Sequence, residues 1–202
     1  MKNWKYILLS VILFPLVGMV SSCSEESAKT GELDNWQQRN DEAVNQWAAN
    51  TSLRKIKTFS KDPSSTGTNA DYIYVQVLET GNGADSPLFN DTARVAYRGY
   101  FIPTASYSDG YVFDQNYIGD FSWSTAGMTD FAITSNLCDG FSTALMNMHK
   151  GDRWRVYMPY QLGYGTTVSG SIPAYSNLIF DIALQDFWHP GDVHPSFKAR
   201  KK

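Results

Sequence analysis

The sequence has little of several things that commonly identify a function. Its 202 residues include only two cysteines, Cys23 and Cys138. The 17 Lys and Arg residues are matched by 20 Asp and Glu, and they do not form the concentrated basic patch of a nucleic-acid-binding surface. A phosphate-binding glycine loop, a serine–histidine triad signature and an internal repeat are also absent. Aromatic residues are abundant instead, at 14%, and they favour stacking surfaces or a pocket in one domain.

Residues 1–22 are typical of a lipoprotein-type signal peptide. Two lysines precede an apolar run over residues 6–20, which is shorter than the roughly 20 residues that a membrane span needs. Small residues then lead to Cys23, as at a bacterial lipoprotein cleavage site, where the cysteine becomes the lipidated N-terminus. The alternative is an ordinary signal peptide followed by a structural cysteine.

We expect a bacterial outer membrane lipoprotein, on the periplasmic or the cell-surface face, because Cys23 is not followed by the aspartate of the inner-membrane retention signal. Lipidation of Cys23 would leave Cys138 without a disulfide partner. Cys138 is then expected to be a small buried apolar residue rather than a reactive thiol.

Residues 23–69 are expected to hold the lipid anchor, a linker and an amphipathic helix. The apolar residues at near-helical spacing are Leu33, Trp36, Ala43, Val44 and Trp47. This helix could pack on the main domain, or it could be a dimerisation helix with two exposed tryptophans, and the oligomeric state stays open. Turn-forming residues over 62–69 mark the start of a main domain over 70–188. Residues 189–202 read as a basic, solvated tail.

Alternating apolar residues predict several strands in the main domain. The inward-facing sets are Ile73, Val75 and Val77; Val95 and Tyr97; Trp154, Val156 and Met158; and Leu178, Phe180, Ile182 and Leu184. A further short strand is expected over residues 130–133. Within the main domain, only the segment from Gly140 to Met148 has the spacing of a helix. One short helix among antiparallel strands indicates an α+β fold.

A series of short motifs makes this reading more specific. In order they are V-A-Y-R-G from Val95, D-G-x-x-F-D from Asp109, G-F-x-x-A-L-x-x-M from Gly140, K-G-D from Lys150, M-P at Met158, G-Y-G from Gly163, I-P at Ile172 and L-I-F-D-I-A-L from Leu178. Together they resemble the FK506-binding protein (FKBP) family of peptidyl-prolyl cis-trans isomerases. The resemblance implies a five-stranded antiparallel sheet wrapped around one short helix, here with an N-terminal helical extension.

The resemblance also implies a substrate pocket. The residues it assigns to the reacting bond are Tyr97, Phe113, Asp114, Tyr164 and Phe180, and those it assigns to further substrate contacts are Leu137, Cys138 and Phe141. Phe141 stands where the family usually has a tryptophan, and the backbone N–H of Cys138 is expected to bind the substrate carbonyl. No cofactor and no metal are implied, and the expected partners are proline-containing polypeptides.

The chain departs from the family pattern in two long segments, one between Tyr97 and Asp109 and one between Asp114 and Phe131. The second could widen the pocket or block it, and a blocked pocket would favour a non-catalytic binding or chaperone module. The family's aromatic ahead of Phe131 has no clear match, with Phe121 and Met128 as the candidates. A third alternative is a metal site formed by His189, Asp192 and His194, which the adjacent prolines make unfavourable.

Overall fold

The computed structural model describes residues 31–193. The predicted signal peptide, Cys23 and the tail from His194 onward lie outside the described residues. The elements are α1 (Trp36–Ala49), β1 (Arg54–Lys57), β2 (Tyr72–Glu79), β3 (Thr92–Tyr100), β4 (Val112–Gln115), β5 (Thr129–Ala132), α2 (Asp139–Leu145), β6 (Arg153–Met158) and β7 (Leu178–Trp188). No helix within residues 31–193 is long and apolar enough to span a membrane.

All pairings within the sheet are antiparallel, in the order β1-β2-β6-β7-β3-β4. The predicted α+β class is confirmed, but the described sheet has seven strands rather than five. One extra strand is β1, which forms in the expected linker and adds an edge to β2. The other extra strand is counted because β4 and β5 are two separate strands. They pair with different parts of β3, and a long segment joins them.

The two faces of the sheet differ because side chains alternate along each strand. We call the face that packs against α2 the front face and the opposite one the back face. The predicted inward sets occupy the front face, where Ile73, Val95, Val156 and Ile182 are fully buried. Val77 is an exception, since it is 46% exposed beside a bulge in the β2–β6 pairing.

Helix α1 packs against the domain through a buried amide network. The side chain of Asn40 is fully buried; its Oδ1 accepts from the backbone N–H of Asn177 at 2.8 Å. Asn177 Nδ2 donates to the Asn40 carbonyl at 2.7 Å, and its Oδ1 accepts from the backbone N–H of Tyr160 at 2.9 Å. Trp36 is 7% exposed, and its Nε1 donates to Ser176 Oγ at 3.0 Å. Trp36 is therefore not an exposed tryptophan, and the helix packs on the domain as the first of the two interpretations predicts.

The long segment between β4 and β5 lies on the back face. Its residues Tyr117 and Ala126 form a small buried cluster with Ala96 and Ala183, which alternate with front-face residues of β3 and β7. The guanidinium of Arg98 stacks over the Tyr117 ring at 4.4 Å and donates to the carbonyl of Gly119 at 2.7 Å. This segment therefore does not cover the front face.

Candidate active site

Five aromatic rings meet on the front face around one point. They come from five elements and are Tyr97 (β3), Phe113 (β4), Phe131 (β5), Phe141 (α2) and Phe180 (β7). The Phe141 and Phe180 centroids are 5.1 Å apart, and the Tyr97 centroid is 6.3 Å from each of them. The interplanar angles of these three contacts range from tilted to perpendicular, as aromatic rings prefer in apolar clusters.

The ring cluster has a buried floor and a more open rim. Phe141 and Phe180 are 5% and 7% exposed, whereas Tyr97, Phe113 and Phe131 are only half-buried. The half-buried rings leave an apolar aromatic surface that a small apolar group such as a proline ring can contact.

Gly99 allows two rings of the cluster to meet over strand β3. A Cβ at this position would lie 2.6 Å from Phe113 Cζ and 2.7 Å from Phe180 Cε1, which is closer than real Cβ contacts. With no side chain there, the Phe113 and Phe180 centroids approach to 5.5 Å. The glycine of the V-A-Y-R-G motif thus has a packing role at the site.

A polar pair stands at the rim of the cluster. The Tyr97 hydroxyl donates to Asp114 Oδ2 at 2.8 Å across the β3–β4 pairing. Burial, followed by the bond to Asp114, raises the pKa of Tyr97, so its hydroxyl stays protonated at neutral pH. Asn116 holds this part of β3 in place, because its Oδ1 accepts from the backbone N–H of Tyr97 at 2.8 Å and its Nδ2 donates to the Val95 carbonyl at 3.0 Å.

Leu137 and Cys138 immediately precede α2 and line a cavity of about 370 Å³ together with Tyr164. Burial raises the pKa of the Cys138 thiol to about 11, so the thiol is protonated and unreactive at neutral pH. Its sulfur lies 3.7 Å from Met158 Sδ. The backbone N–H of Cys138 makes no hydrogen bond to another residue of the described chain, so it is available to a ligand carbonyl.

Tyr164 is presented by a tight turn between two glycines. The backbone N–H groups of Gly163 and Gly165 both donate to the Tyr160 carbonyl, at 3.0 and 2.8 Å, and Gly165 adopts a positive φ of 71°. Burial raises the pKa of Tyr164, with smaller contributions from the nearby Cys138 and Asp114. Its hydroxyl has no hydrogen-bond partner in residues 31–193, which leaves a protonated donor beside the cavity.

The structure brings together the residues that the sequence assigned to the pocket. Phe131 is an addition: the alternation of β5 puts it on the front face, but only the register with β3 reveals that its ring lies 5.5 Å from Tyr97 and 5.7 Å from Phe141. Phe121 and Met128, the candidate stand-ins, instead pack against the back-face cluster.

The other candidate features lie elsewhere. His189 Nδ1 lies 2.8 Å from Oδ1 of the buried Asp91, and no group of three His, Cys, Asp or Glu side chains within residues 31–193 is arranged to hold a metal ion. A larger cavity of about 790 Å³ lies between α1 and the back face of the sheet, lined by Trp47, Arg98 and Arg155 among others. It is separated by the sheet from the ring cluster.

The comparison with protein families agrees with this geometry. The sequence profile of the family described as FKBP-type peptidyl-prolyl cis-trans isomerase matches residues 83–185, which is half of the chain. The match spans β3 to β7 and so includes every residue of the ring cluster. The chain belongs to this FKBP family.

Curated relatives bear names of the same kind. The chain is 27% identical over 180 residues to the macrophage infectivity potentiator of Trypanosoma cruzi, covering 89% of this chain and 80% of that protein. It is 31% identical over 144 residues to the FKBP-type isomerase FkpA of Escherichia coli K12, covering 71% of this chain and 46% of FkpA. A third relative is the isomerase Mip of Coxiella burnetii, 31% identical over 65% of this chain and 51% of Mip. The chain thus spans about half the length of FkpA and Mip.

Solved FKBP structures share the fold. The crystal structure of FkpA from E. coli superposes with a TM-score of 0.57 at 23% identity, covering 80% of this chain and 63% of FkpA. An isomerase from Pseudomonas syringae superposes with a TM-score of 0.55 at 20% identity, covering 77% and 95% of the two chains. These structures confirm the predicted FKBP fold, and the family profile confirms the predicted membership of the FKBP-type isomerase family.

Proposed function

We propose that this FKBP chain isomerises Xaa-Pro bonds of exported polypeptides in the front-face pocket. The residues that contact the substrate or shape its site are Tyr97, Phe113, Asp114, Phe131, Leu137, Cys138, Phe141, Tyr164 and Phe180. One observation carries the proposal. Cys138 packs against the core that contains Phe141 and Phe180, and it shares a cavity with Tyr164, so the aromatic floor adjoins two donors without a partner in another described residue, the Cys138 N–H and the Tyr164 hydroxyl. The aromatic floor suits a proline ring, and the two donors suit the carbonyl oxygens on either side of that ring.

The physical task is to twist an amide. Rotation about the X-Pro bond meets a barrier of about 18–20 kcal/mol because amide resonance is lost. The planar amide is more dipolar than the twisted one, so removing water from around it raises the energy of the planar form relative to the twisted form. A thousandfold acceleration requires about 4 kcal/mol of differential stabilisation. An apolar pocket with a few fixed donors can supply this without a nucleophile or a cofactor.

Each polar residue then has a separate role. The Tyr164 hydroxyl and the Cys138 N–H would hold the carbonyl oxygens that flank the twisting bond, so that the proline ring is the part that stays in the aromatic floor. Asp114 accepts from Tyr97 and would orient that ring and nearby substrate N–H groups. It is not proposed as an acid, because the reaction transfers no proton.

The test is a prolyl-isomerisation assay with Xaa-Pro peptides on a soluble form of the protein that begins at Ser24. We expect clear acceleration by the wild type and a fall of about tenfold in kcat/KM for Tyr164→Phe and for Asp114→Ala. Tyr72→Phe is the matched control, because Tyr72 lies in the β1–β2 pair, away from the pocket. A folded protein without acceleration would contradict the enzyme and favour the binding-module alternative.

We also propose that the mature protein is a lipoprotein of the bacterial outer membrane, anchored through Cys23, with residues 70–188 as the isomerase domain and residues 189–202 as a basic tail. The support is the signal-like pattern of residues 1–22. Expression of wild type and Cys23→Ala with labelled fatty acid tests this. Label and membrane association in the wild type only are expected, and an unlabelled wild type would contradict the anchor.

A further inference from the structure

The aromatic rings of the pocket continue onto the surface. The ring of Phe101 stacks on Phe113 with centroids 4.9 Å apart and an interplanar angle of 23°, and the ring of Tyr111 stacks on Phe101 at 6.2 Å and 19°. The last ring is that of Tyr107, which makes an edge-to-face contact with Tyr111 at a centroid distance of 5.1 Å. We call Phe101, Tyr107 and Tyr111 the aromatic shelf. It belongs to the long segment between Tyr97 and Asp109 and to the residues directly after it.

The outer part of the shelf is unusually exposed for its residue types. Tyr107 and Tyr111 are 46% and 45% exposed, while Phe101 beneath them is 6% exposed. Neither tyrosine hydroxyl has a hydrogen-bond partner within the described chain. Adjacent exposed aromatic rings that continue a ligand pocket indicate a binding surface rather than core packing.

The shelf is held in a fixed position before any ligand arrives. Thr104 and Tyr107 exchange backbone hydrogen bonds at 3.0 and 3.3 Å, and the N–H of Gly110 donates to the Tyr107 carbonyl at 3.0 Å. The N-terminal region adds two contacts: Arg39 donates to the Pro103 carbonyl at 2.9 Å, and Glu32 Oε1 accepts from the backbone N–H of Ser106 at 3.0 Å. A surface that is already ordered loses little entropy when it binds.

We propose that the aromatic shelf is a second substrate subsite, which binds an aromatic or large apolar side chain about three residues away from the proline. The inference rests on the proposed isomerase function. The two ring spacings add to about 11 Å, so the Tyr111 ring lies no farther than that from the Phe113 ring, and an extended chain covers such a distance within about three residues at about 3.3 Å each. The exposed Asp109 lies two residues from both Tyr107 and Tyr111 in the chain, so an acidic side chain is disfavoured there.

The experiment uses peptides with a single proline and with Phe, Ala or Glu placed three residues before or after it. Proteins are the wild type, the double variant Tyr107→Ser/Tyr111→Ser, and the control Phe89→Ser, which removes a ring that is 43% exposed and contacts Phe59 outside the series. In one of the two peptide series, with the test residue either before or after the proline, the wild type is expected to have a kcat/KM about fivefold higher for the Phe peptide than for the Ala peptide. The Glu peptide is expected to be no better a substrate than the Ala peptide.

The preference should vanish in the double variant and persist in Phe89→Ser. Equal rates for Phe and Ala peptides in the wild type, or a preference that survives the double variant, would overturn the shelf while leaving the isomerase intact. If no peptide is isomerised, the proposed function fails, and calorimetry with the same peptides decides the shelf separately. The shelf is supported if the wild type and Phe89→Ser, but not the double variant, bind the Phe peptide more tightly than the Ala peptide, and equal binding of the two peptides by the wild type overturns it. If the double variant does not fold, the single variant Tyr107→Ser replaces it.

Discussion

Tyr97 and Asp114 face each other across two paired strands and share one hydrogen bond of 2.8 Å, from hydroxyl to carboxylate. Because the two groups act through the same bond, their removal is expected to be non-additive. Tyr97→Phe and Asp114→Ala each remove that bond and should each lower kcat/KM by about three- to tenfold, and the double variant should be no slower than the slower single variant. A double-variant cycle in the isomerisation assay measures this, and simple multiplication of the two effects would show that the groups act independently.

Gly99→Ala should damage the pocket and the fold together. The new Cβ would lie within 2.7 Å of both Phe113 and Phe180, so the rings must move apart. Overpacking of this kind costs about 1–3 kcal/mol of unfolding free energy, and we expect kcat/KM to fall by at least tenfold. Urea unfolding and the peptide assay check the two effects. Gly31→Ala is the control, because nothing lies within 4 Å of a Cβ there, and it should match the wild type.

Asn40→Leu should weaken the attachment of helix α1. The variant removes the Oδ1 acceptor of the buried Asn177 N–H at 2.8 Å and the Nδ2 donor to the Trp36 carbonyl at 2.7 Å, whereas the backbone carbonyl of Asn40 remains. Loss of partners for buried polar groups costs about 1–3 kcal/mol. Urea unfolding should show this loss, and hydrogen exchange should increase in α1 before the sheet. Asn45→Leu, at an exposed position of the same helix, is the control. Equal stability of wild type and Asn40→Leu would contradict the docking role.

The His189–Asp91 pair should make stability depend on pH. The bond to Asp91, the largest cause, raises the pKa of His189 above its usual value of 6.5. A raised folded-state pKa stabilises the fold fully at pH values below 6.5, and this contribution is lost as the pH rises through the folded-state pKa. The difference in melting temperature between wild type and His189→Gln should therefore be larger at pH 5.5 than at pH 8.5. A difference that is the same at both pH values would mean that the proton on His189 has no role.

The sequence was sufficient for those parts of the fold that depend on local alternation and on family motifs. The strands containing Val95, Val156 and Ile182, the short helix, and the meeting of Tyr97 with Phe180 all follow from such patterns. What could not be predicted depends on contacts between distant segments. The small back-face residues Ala96 and Ala183 gave no indication of which loop would cover them. Likewise, Phe131 enters the ring cluster only through the register of β5 on β3.

The placement of the long β4–β5 segment has a practical consequence. Its tip at Ile118 is 90% exposed, and nothing lies within 4 Å of a Cβ at the neighbouring Gly119. Since this tip projects from the side of the sheet opposite the ring cluster, a fluorophore or an affinity tag introduced there would report on the protein without touching its substrates. For the same reason, insertions or deletions in the β4–β5 segment are expected to leave the ring cluster on the front face unchanged.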